Sequence, residues 1–435
     1  MKSKKSPKIA LFAILLFSSL VITCSKLSDI IDYDFNNNSQ KITGEYNKLK
    51  PSIQWTVPYI HINNNWTIAN MTYDWCNYKN GHYIIENVSI TGGVYAKNGI
   101  HIENTTENFI IRNCHIDDGV SLIRVQGGHL INNTLFFGQA YYTGTDIRTG
   151  VYMIKCNNIT LRDNFLNDTF TDYFAAKYGF LMYDCNNITA ADNDFSIFDI
   201  TGSGDIKYSE GIAVQEFYGS KNIVLINNTI QQFGIGISIT PQVTDCKVVE
   251  NHILNSKFSG IYISGNNHLV SNNSIRNYYD SSSLYSMDRG ISVTGSNNSI
   301  FWNEIVRAEL GIKISHGGYN NVYNNTIQES RDYGIFLEES NYNKMINNLI
   351  LKSGRYGMYL DSINHSIITG NTISSVYGCI TEINCYGNII EDNICIQIPF
   401  IFGYYPILLI GILLISTFLL IKSKRHYKKE NEDFK

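Results

Sequence analysis

The chain has 435 residues, of which 17% are charged and 44% hydrophobic, with a net charge of −4. So small and balanced a charge offers no basic surface to a polyanion, which excludes nucleic acid as an expected partner. About fifty Asn, 33 Gly and 30 Tyr against only 6 Pro favour many short strands joined by tight turns and argue against long helices.

Taken in chain order, Lys2, Lys4, Lys5 and Lys8 precede an apolar run over residues 9–23. This is the basic and apolar pattern of a secretory signal, so residues 1–24 are read as a signal peptide and the body as exported. Cys24 comes directly after the run, but Ile22 and Thr23 before it fit a lipid-attachment pattern poorly. Residues 25–82 fit no repeat and carry Trp55, Trp66 and Trp75. They are expected to cap the open N-terminal edge of the repetitive body, since an uncapped edge invites strand addition.

From residue 83 to 396 the chain repeats itself. NNVYNNTIQESRDYGIFL at 320–337 returns as NKMINNLILKSGRYGMYL at 343–360. One ladder of like sites runs Asn133, Asn164, Asn193, Asn228, Asn251, Asn273, Asn303, Asn325, Asn348, Asn371 and Asn393. A second runs Gly150, Gly179, Gly211, Gly234, Gly260, Gly290, Gly311, Gly334, Gly357 and Gly378. Each unit reads G-I-x-I, a polar turn, an apolar residue and N-N-x-I. Alternation of period two marks half-buried strands, and no window sustains a helical period. A repeat near 22 residues with three short strands predicts an all-β fold, a parallel β-helix of about twelve coils stacked at about 4.8 Å. Asn is expected at the sharp turns for its tolerance of the left-handed backbone, with its amides bonded along the column. Gly is expected for positive φ or close approach.

Residues 399–421 carry no charge and are long enough for one C-terminal transmembrane helix. Lys422, Lys424, Arg425, Lys428 and Lys429 come next, which places residues 422–435 as a cytoplasmic basic tail and the β-helix outside the cell.

The G-I-x-I and N-x-I-x-N-N-x-I repeats, with WCNYKNGHYIIENVSITGG at 75–93 and NGIHIENTTENFIIRNCHI at 98–116, resemble the right-handed parallel β-helix repeats of the pectin-lyase-like superfamily. The likeness is to NosD-type, carbohydrate-binding and sugar-hydrolase β-helix domains. It implies a glycan or polysaccharide partner, or an accessory role in handling a metal or an exported protein. The chain shows no Met-rich or His-rich cluster selective for copper.

Cys156 and Cys185 occupy the same phase of neighbouring coils, and a stacking distance of about 4.8 Å lies within disulfide range, so a bridge between them is expected. The Cys and His spacings match no zinc motif, and no metal or cofactor is predicted from them. Sequons such as those at Asn65, Asn70, Asn104 and Asn167 permit glycosylation outside the cell.

The stretch from Asn to the following Gly takes 6 to 9 residues in plain coils but 17 after Asn133, 15 after Asn164, 18 after Asn193 and 17 after Asn273. Insertions at one phase leave the cylinder on one side and are expected to wall a binding face beside the G-I-x-I sheet. The expected ligand-binding residues there are Tyr141, Tyr142, Arg148, Tyr173, Tyr178, Tyr208, Tyr278, Tyr279 and Arg289, with Tyr262, Phe336 and Tyr359 on the sheet itself. Tyr rings and Arg forks suit sugars. Four residues after their glycines, Glu338, Asp361 and Glu382 are expected to stack at about 5 and 10 Å. Such carboxylates serve hydrolases or hold Ca²⁺, while Lys313 with Arg289 would suit a lyase. The two functions weighed are thus a surface protein that binds glycan without turnover and a polysaccharide hydrolase or lyase.

Overall fold

The computed structural model describes residues 54–91, 99–139, 147–169, 176–198, 209–215, 219–278 and 287–397. The expected signal peptide, transmembrane helix and basic tail lie outside these residues. Among the described residues no helix is long and apolar enough to cross a membrane.

The structure is a parallel β-helix. One coil runs through Tyr333–Glu338, Lys344–Ile346 and Leu349–Ser353, and the next through Tyr356–Asp361, Ile367–Thr369 and Thr372–Ser375. Each of these strands pairs in parallel with its counterpart one coil later, Ile335 with Met358, Met345 with Ile368 and Ile350 with Ile373. Three faces result, here termed the glycine, middle and asparagine sheets. The asparagine sheet has 14 strands from Trp55–Val57 to Ile394–Gln397. The other two faces join because Val120–Ile131 runs continuously through both. Regular stacking thus begins at Trp55, inside the segment expected to be a cap. Within that segment Trp66–Thr72 forms a short helix whose Trp66 is buried and stacks on Phe109 at 5.3 Å and Tyr83 at 5.2 Å.

The asparagine doublet divides its labour. The first residue of each pair takes the left-handed backbone, with φ of 55° at Asn324 and 54° at Asn347. The second turns its amide inward: Asn325 Nδ2 donates to Asn348 Oδ1 at 3.0 Å and to Ile300 O at 2.9 Å, and its backbone N–H donates to Asn348 Oδ1 at 3.0 Å. The same contact recurs from Asn133 to Asn393 without a break. Each ladder amide therefore satisfies main-chain groups that burial would otherwise leave unpaired, at about 1 kcal/mol net per bond. Sequence pattern alone gives both tasks to the ladder asparagine, and the structure splits them between neighbours.

The glycine column is set by close approach. A Cβ on Gly334 would stand 2.3 Å from Ile350 Cγ2 and 2.7 Å from the carbonyl of Gly357, so only hydrogen fits between the two sheets. Two ladder positions need correction. Glu210 pairs with Ile235 and Ile212 with Ile237, so Gly236, not Gly234, follows Gly211. Likewise Tyr356 pairs with Gly378 and Met358 with Ile380, which puts Cys379 in the glycine place.

That substitution explains the disulfide. Cys395 pairs with Ile373, the isoleucine that Gly357 abuts, so in the last described coil the repeating Gly–Ile contact becomes a Cys379–Cys395 bridge. The expected Cys156–Cys185 bridge does not form; both are free, buried thiols. In-register residues of parallel strands have parallel Cα–Cβ bonds, and a disulfide needs Cβ atoms turned toward each other. Instead Cys156 Sγ donates to Leu122 O at 3.2 Å and Cys185 Sγ to Tyr183 O at 3.2 Å.

Candidate carbohydrate-binding face

The outer side of the glycine sheet carries one continuous column two residues past the glycines: Ser121, Tyr152, Leu181, Ala213, Ser238, Tyr262, Ser292, Lys313, Phe336, Tyr359 and Thr381. Strand alternation points these residues outward in every coil, yet the column changes character along its length. Tyr152, Leu181 and Ala213 are buried and form a second apolar cluster with Ile147, Ile154, Tyr178 and Tyr183, separate from the core. From Lys313 onward every member of the column is half-buried and open to solvent on one side.

In that half-open region five rings come together. Tyr333 stacks on Tyr359 at 4.8 Å and 12°, Phe336 lies 5.6 Å from Tyr333 and 5.7 Å from Tyr359, and Tyr356 lies 5.7 Å from Tyr359 and 6.1 Å from Tyr377. Tyr333 and Tyr356 are register partners, as are Phe336 and Tyr359, so four rings tile two adjacent strands. Charge edges the tile on two sides. Lys313 Nζ is 2.9 Å from Glu338 Oε2 and 5.2 Å from the Phe336 ring centre, while Arg355 Nε is 3.3 Å from Asp332 Oδ1. Burial, then the neighbouring Tyr333, Asp361 and Tyr356, raises the Tyr359 hydroxyl above its ordinary pKa. Flat apolar faces with hydroxyl edges between two ion pairs can stack a sugar ring and hydrogen-bond its hydroxyls.

Of the residues singled out from sequence, Lys313, Phe336, Glu338, Tyr359 and Asp361 meet here. Tyr262 lies in the same column three coils earlier. Sequence reasoning misses Tyr333, Tyr356, Tyr377 and Arg355, although the recurring Tyr-Gly dipeptides at 333–334, 356–357 and 377–378 carry the signal. The carboxylate stack is shorter than expected. Glu338 pairs with Asp361, but the next residue in that column is Ile383, and Glu382 pairs with core-facing Leu360. A slip of one residue moves a side chain to the other face, and the slip arises because Cys379, not Gly378, stands in the glycine column. Glu382 instead accepts a hydrogen bond from Asn388 Nδ2 at 2.8 Å. The Ca²⁺ reading thereby loses its third carboxylate, and Lys313 already neutralises Glu338.

Tyr141, Tyr142, Tyr173, Tyr208 and Tyr279, on the insertions expected to form the wall, lie outside the described residues. Tyr278 is exposed, its backbone N–H donating to Asn255 Oδ1 at 2.9 Å. Arg289 sits beside Asp288, whose pKa burial raises despite that cation. Arg148 acts on Asp118 in the same sense. Tyr178 belongs to the covered half, its hydroxyl pushed up to about 12 by burial and by Glu210. Glu210 itself pairs with Tyr178 on one side and Ile235 on the other, and its Oε2 has neither solvent contact nor a hydrogen-bond partner. Burial raises this carboxyl from 4.5 to about 7, with Ser238 and Gln215 opposing through hydrogen bonds.

The architecture defines the class: a parallel β-helix with an aromatic, ion-pair-edged outer face. The family described as "Right handed beta helix region" matches residues 278–409. No curated protein matches the sequence. Among solved structures, the periplasmic alginate epimerase AlgG is 14% identical with a TM-score of 0.45, over 78% of this chain and 85% of that one. The GH136 lacto-N-biosidase from Eubacterium ramulus is 10% identical with a TM-score of 0.40, over 70% and 63%. DFA-IIIase from Arthrobacter chlorophenolicus A6 is 11% identical with a TM-score of 0.43, over 70% and 90%. At such scores these likenesses are no guide to activity.

Proposed function

We propose that this chain is a membrane-anchored extracellular β-helix that binds glycan on the outer face of its glycine sheet without turning it over. The observation that carries the reading is the tile of Tyr333, Phe336, Tyr356 and Tyr359, with Tyr377 beside it, edged by the Lys313–Glu338 and Arg355–Asp332 pairs. A cluster of adjoining, partly exposed rings offers a sugar more apolar contact than isolated surface aromatics do. Export and anchoring are supported by the basic and apolar leader, by the uncharged run over 399–421 with its basic stop, and by the Cys379–Cys395 disulfide, a bond that persists in oxidising compartments.

The test is a glycan panel against the full-length chain in detergent, scoring retention, new reducing ends and unsaturated uronate absorbance. Binding is expected to weaken at least about tenfold in Phe336→Ala with Tyr359→Ala, a loss of about 1.4 kcal/mol. Retention unchanged in that double variant would overturn the reading. A polysaccharide hydrolase or lyase is favoured by one observation, the raised carboxyl of Glu210, because a carboxyl titrating near neutral pH holds its proton there part of the time, as a general acid must. Turnover that Glu210→Gln abolishes while binding persists selects the enzyme.

A further inference from the structure

On the outer face of the first coils, two imidazoles and a carboxylate converge from positions 61, 101 and 103. His61 and His101 are register partners on adjacent strands, and Glu103 is two residues along from His101 on the same face. His61 Nε2 is 3.1 Å and His101 Nε2 is 3.6 Å from Glu103 Oε1, and all three ligand atoms lie within 4.8 Å of one another. We infer that His61, His101 and Glu103 form a binding site for a first-row divalent ion of zinc's class, with three protein ligands and one position open to solvent.

Distances carry the inference. With metal–ligand bonds of about 2.0 to 2.2 Å, neighbouring donors in a tetrahedral shell stand about 3.3 Å apart. The two separations at Glu103 Oε1, 3.1 and 3.6 Å, fall on either side of that spacing. Two nitrogens and one carboxylate oxygen is a donor set that suits zinc and its neighbours and does not suit Ca²⁺. Burial is graded as an open site requires: the His101 and Glu103 side chains are 5% and 11% exposed, whereas His61 is 45% exposed and faces water.

The surroundings hold the carboxylate in place. Asn63 Nδ2 donates to Oε1 at 3.2 Å, Asn104 Nδ2 donates to Oε2 at 3.2 Å, and Arg124 Nη2 stands 3.6 Å from Oε2. Arg124 Nε also donates to Asn104 Oδ1 at 2.6 Å, and Asn104 Nδ2 to Asn63 Oδ1 at 3.0 Å. Arg124 thus lies on the Oε2 side, and Oε1 faces the two imidazoles and the Asn63 amide. Orienting bonds of this kind to a ligating carboxylate are what metal sites use to fix their first ligands. A second observation lies in the same outward column. Ser121, the register partner of His101, is fully buried with an Oγ that has no hydrogen-bond partner. A polar atom left so beside an imidazole fits a site whose occupant, or the water on it, supplies the missing bond.

The experiment uses the full-length chain in detergent, stripped with chelator, with ZnCl₂ titrated in a calorimeter and CoCl₂ followed by visible absorbance. One equivalent is expected to bind, with d–d bands of a four- or five-coordinate cobalt centre. His61→Ala removes an exposed side chain and leaves folding intact; it is expected to lower affinity at least about tenfold, as is Glu103→Gln. His365→Ala, on a distant coil, is the control expected to bind as the wild type does. Absence of stoichiometric uptake by the wild-type chain, or uptake unchanged in both His61→Ala and Glu103→Gln, overturns the inference. Glycan retention is read on the same variants, so failure of the aromatic-face reading and failure of the metal site remain separable.

Discussion

Glu210→Gln turns a buried carboxyl into a neutral group of the same shape, and its effect has a sign that depends on pH. The unfolded chain ionises this carboxyl near its ordinary 4.5, the folded chain near about 7. At low pH both states hold the proton and ionisation of Glu210 contributes nothing. As pH rises through this window the unfolded state sheds its proton first, so folding loses about 1.4 kcal/mol per pH unit. Above the folded value the loss levels off at about 3 kcal/mol. Glutamine has no such titration and keeps a hydrogen-bonding amide for Ser238 and Gln215. The variant is therefore expected to gain on the wild type by about 3 kcal/mol between about pH 4.5 and pH 8. Urea unfolding of both chains at the two pH values measures this, followed by far-ultraviolet circular dichroism and tyrosine fluorescence together, because a stack of coils need not unfold in one step. Every other titrating group is common to the two chains and cancels in the difference. A stability gap between variant and wild type that stays the same at both pH values refutes the reasoning.

Asn348→Ala removes the acceptor of the Asn325 amide and backbone N–H and the donor to Val322 O. With each orphaned buried group costing about 1 to 3 kcal/mol, a loss of about 3 kcal/mol or more is expected in urea unfolding. Replacing Cys379 and Cys395 together by Ser opens a bridge across 16 residues and is expected to cost about 3 kcal/mol. In non-reducing mass mapping of the wild-type chain, Cys156 and Cys185 are expected to alkylate once the chain is unfolded, while Cys379 and Cys395 emerge as one linked pair.

The architecture is legible in the sequence because a β-helix writes each coil as the same short sentence. The repeat of N-N-x-I and G-I-x-I fixes which residues face the core, and a stacked column needs only that the repeat holds. Where the count slips, the reason is local: Gly236 and Cys379 occupy column positions that a count along the chain gives to nearby Gly234 and Gly378. The one-residue step from Gly378 to Cys379 sends Glu382 to the other face and hides the Gly–Ile contact that becomes a disulfide. The doubled asparagines likewise announce a turn, but only backbone geometry shows which of the two turns the chain and which bonds the column.

What the sequence determined by itself is the period, the core and the direction in which Phe336, Glu338 and Tyr359 point. Pairing between coils decided the rest, because residues far apart in the chain become neighbours only through register. Tyr333, Tyr356 and Tyr377 become one surface because successive coils bring them within ring contact. His61 meets His101 and Glu103 across about forty intervening residues, of which those up to 82 lie outside the repeat, so the repeat spacing does not by itself bring the three together.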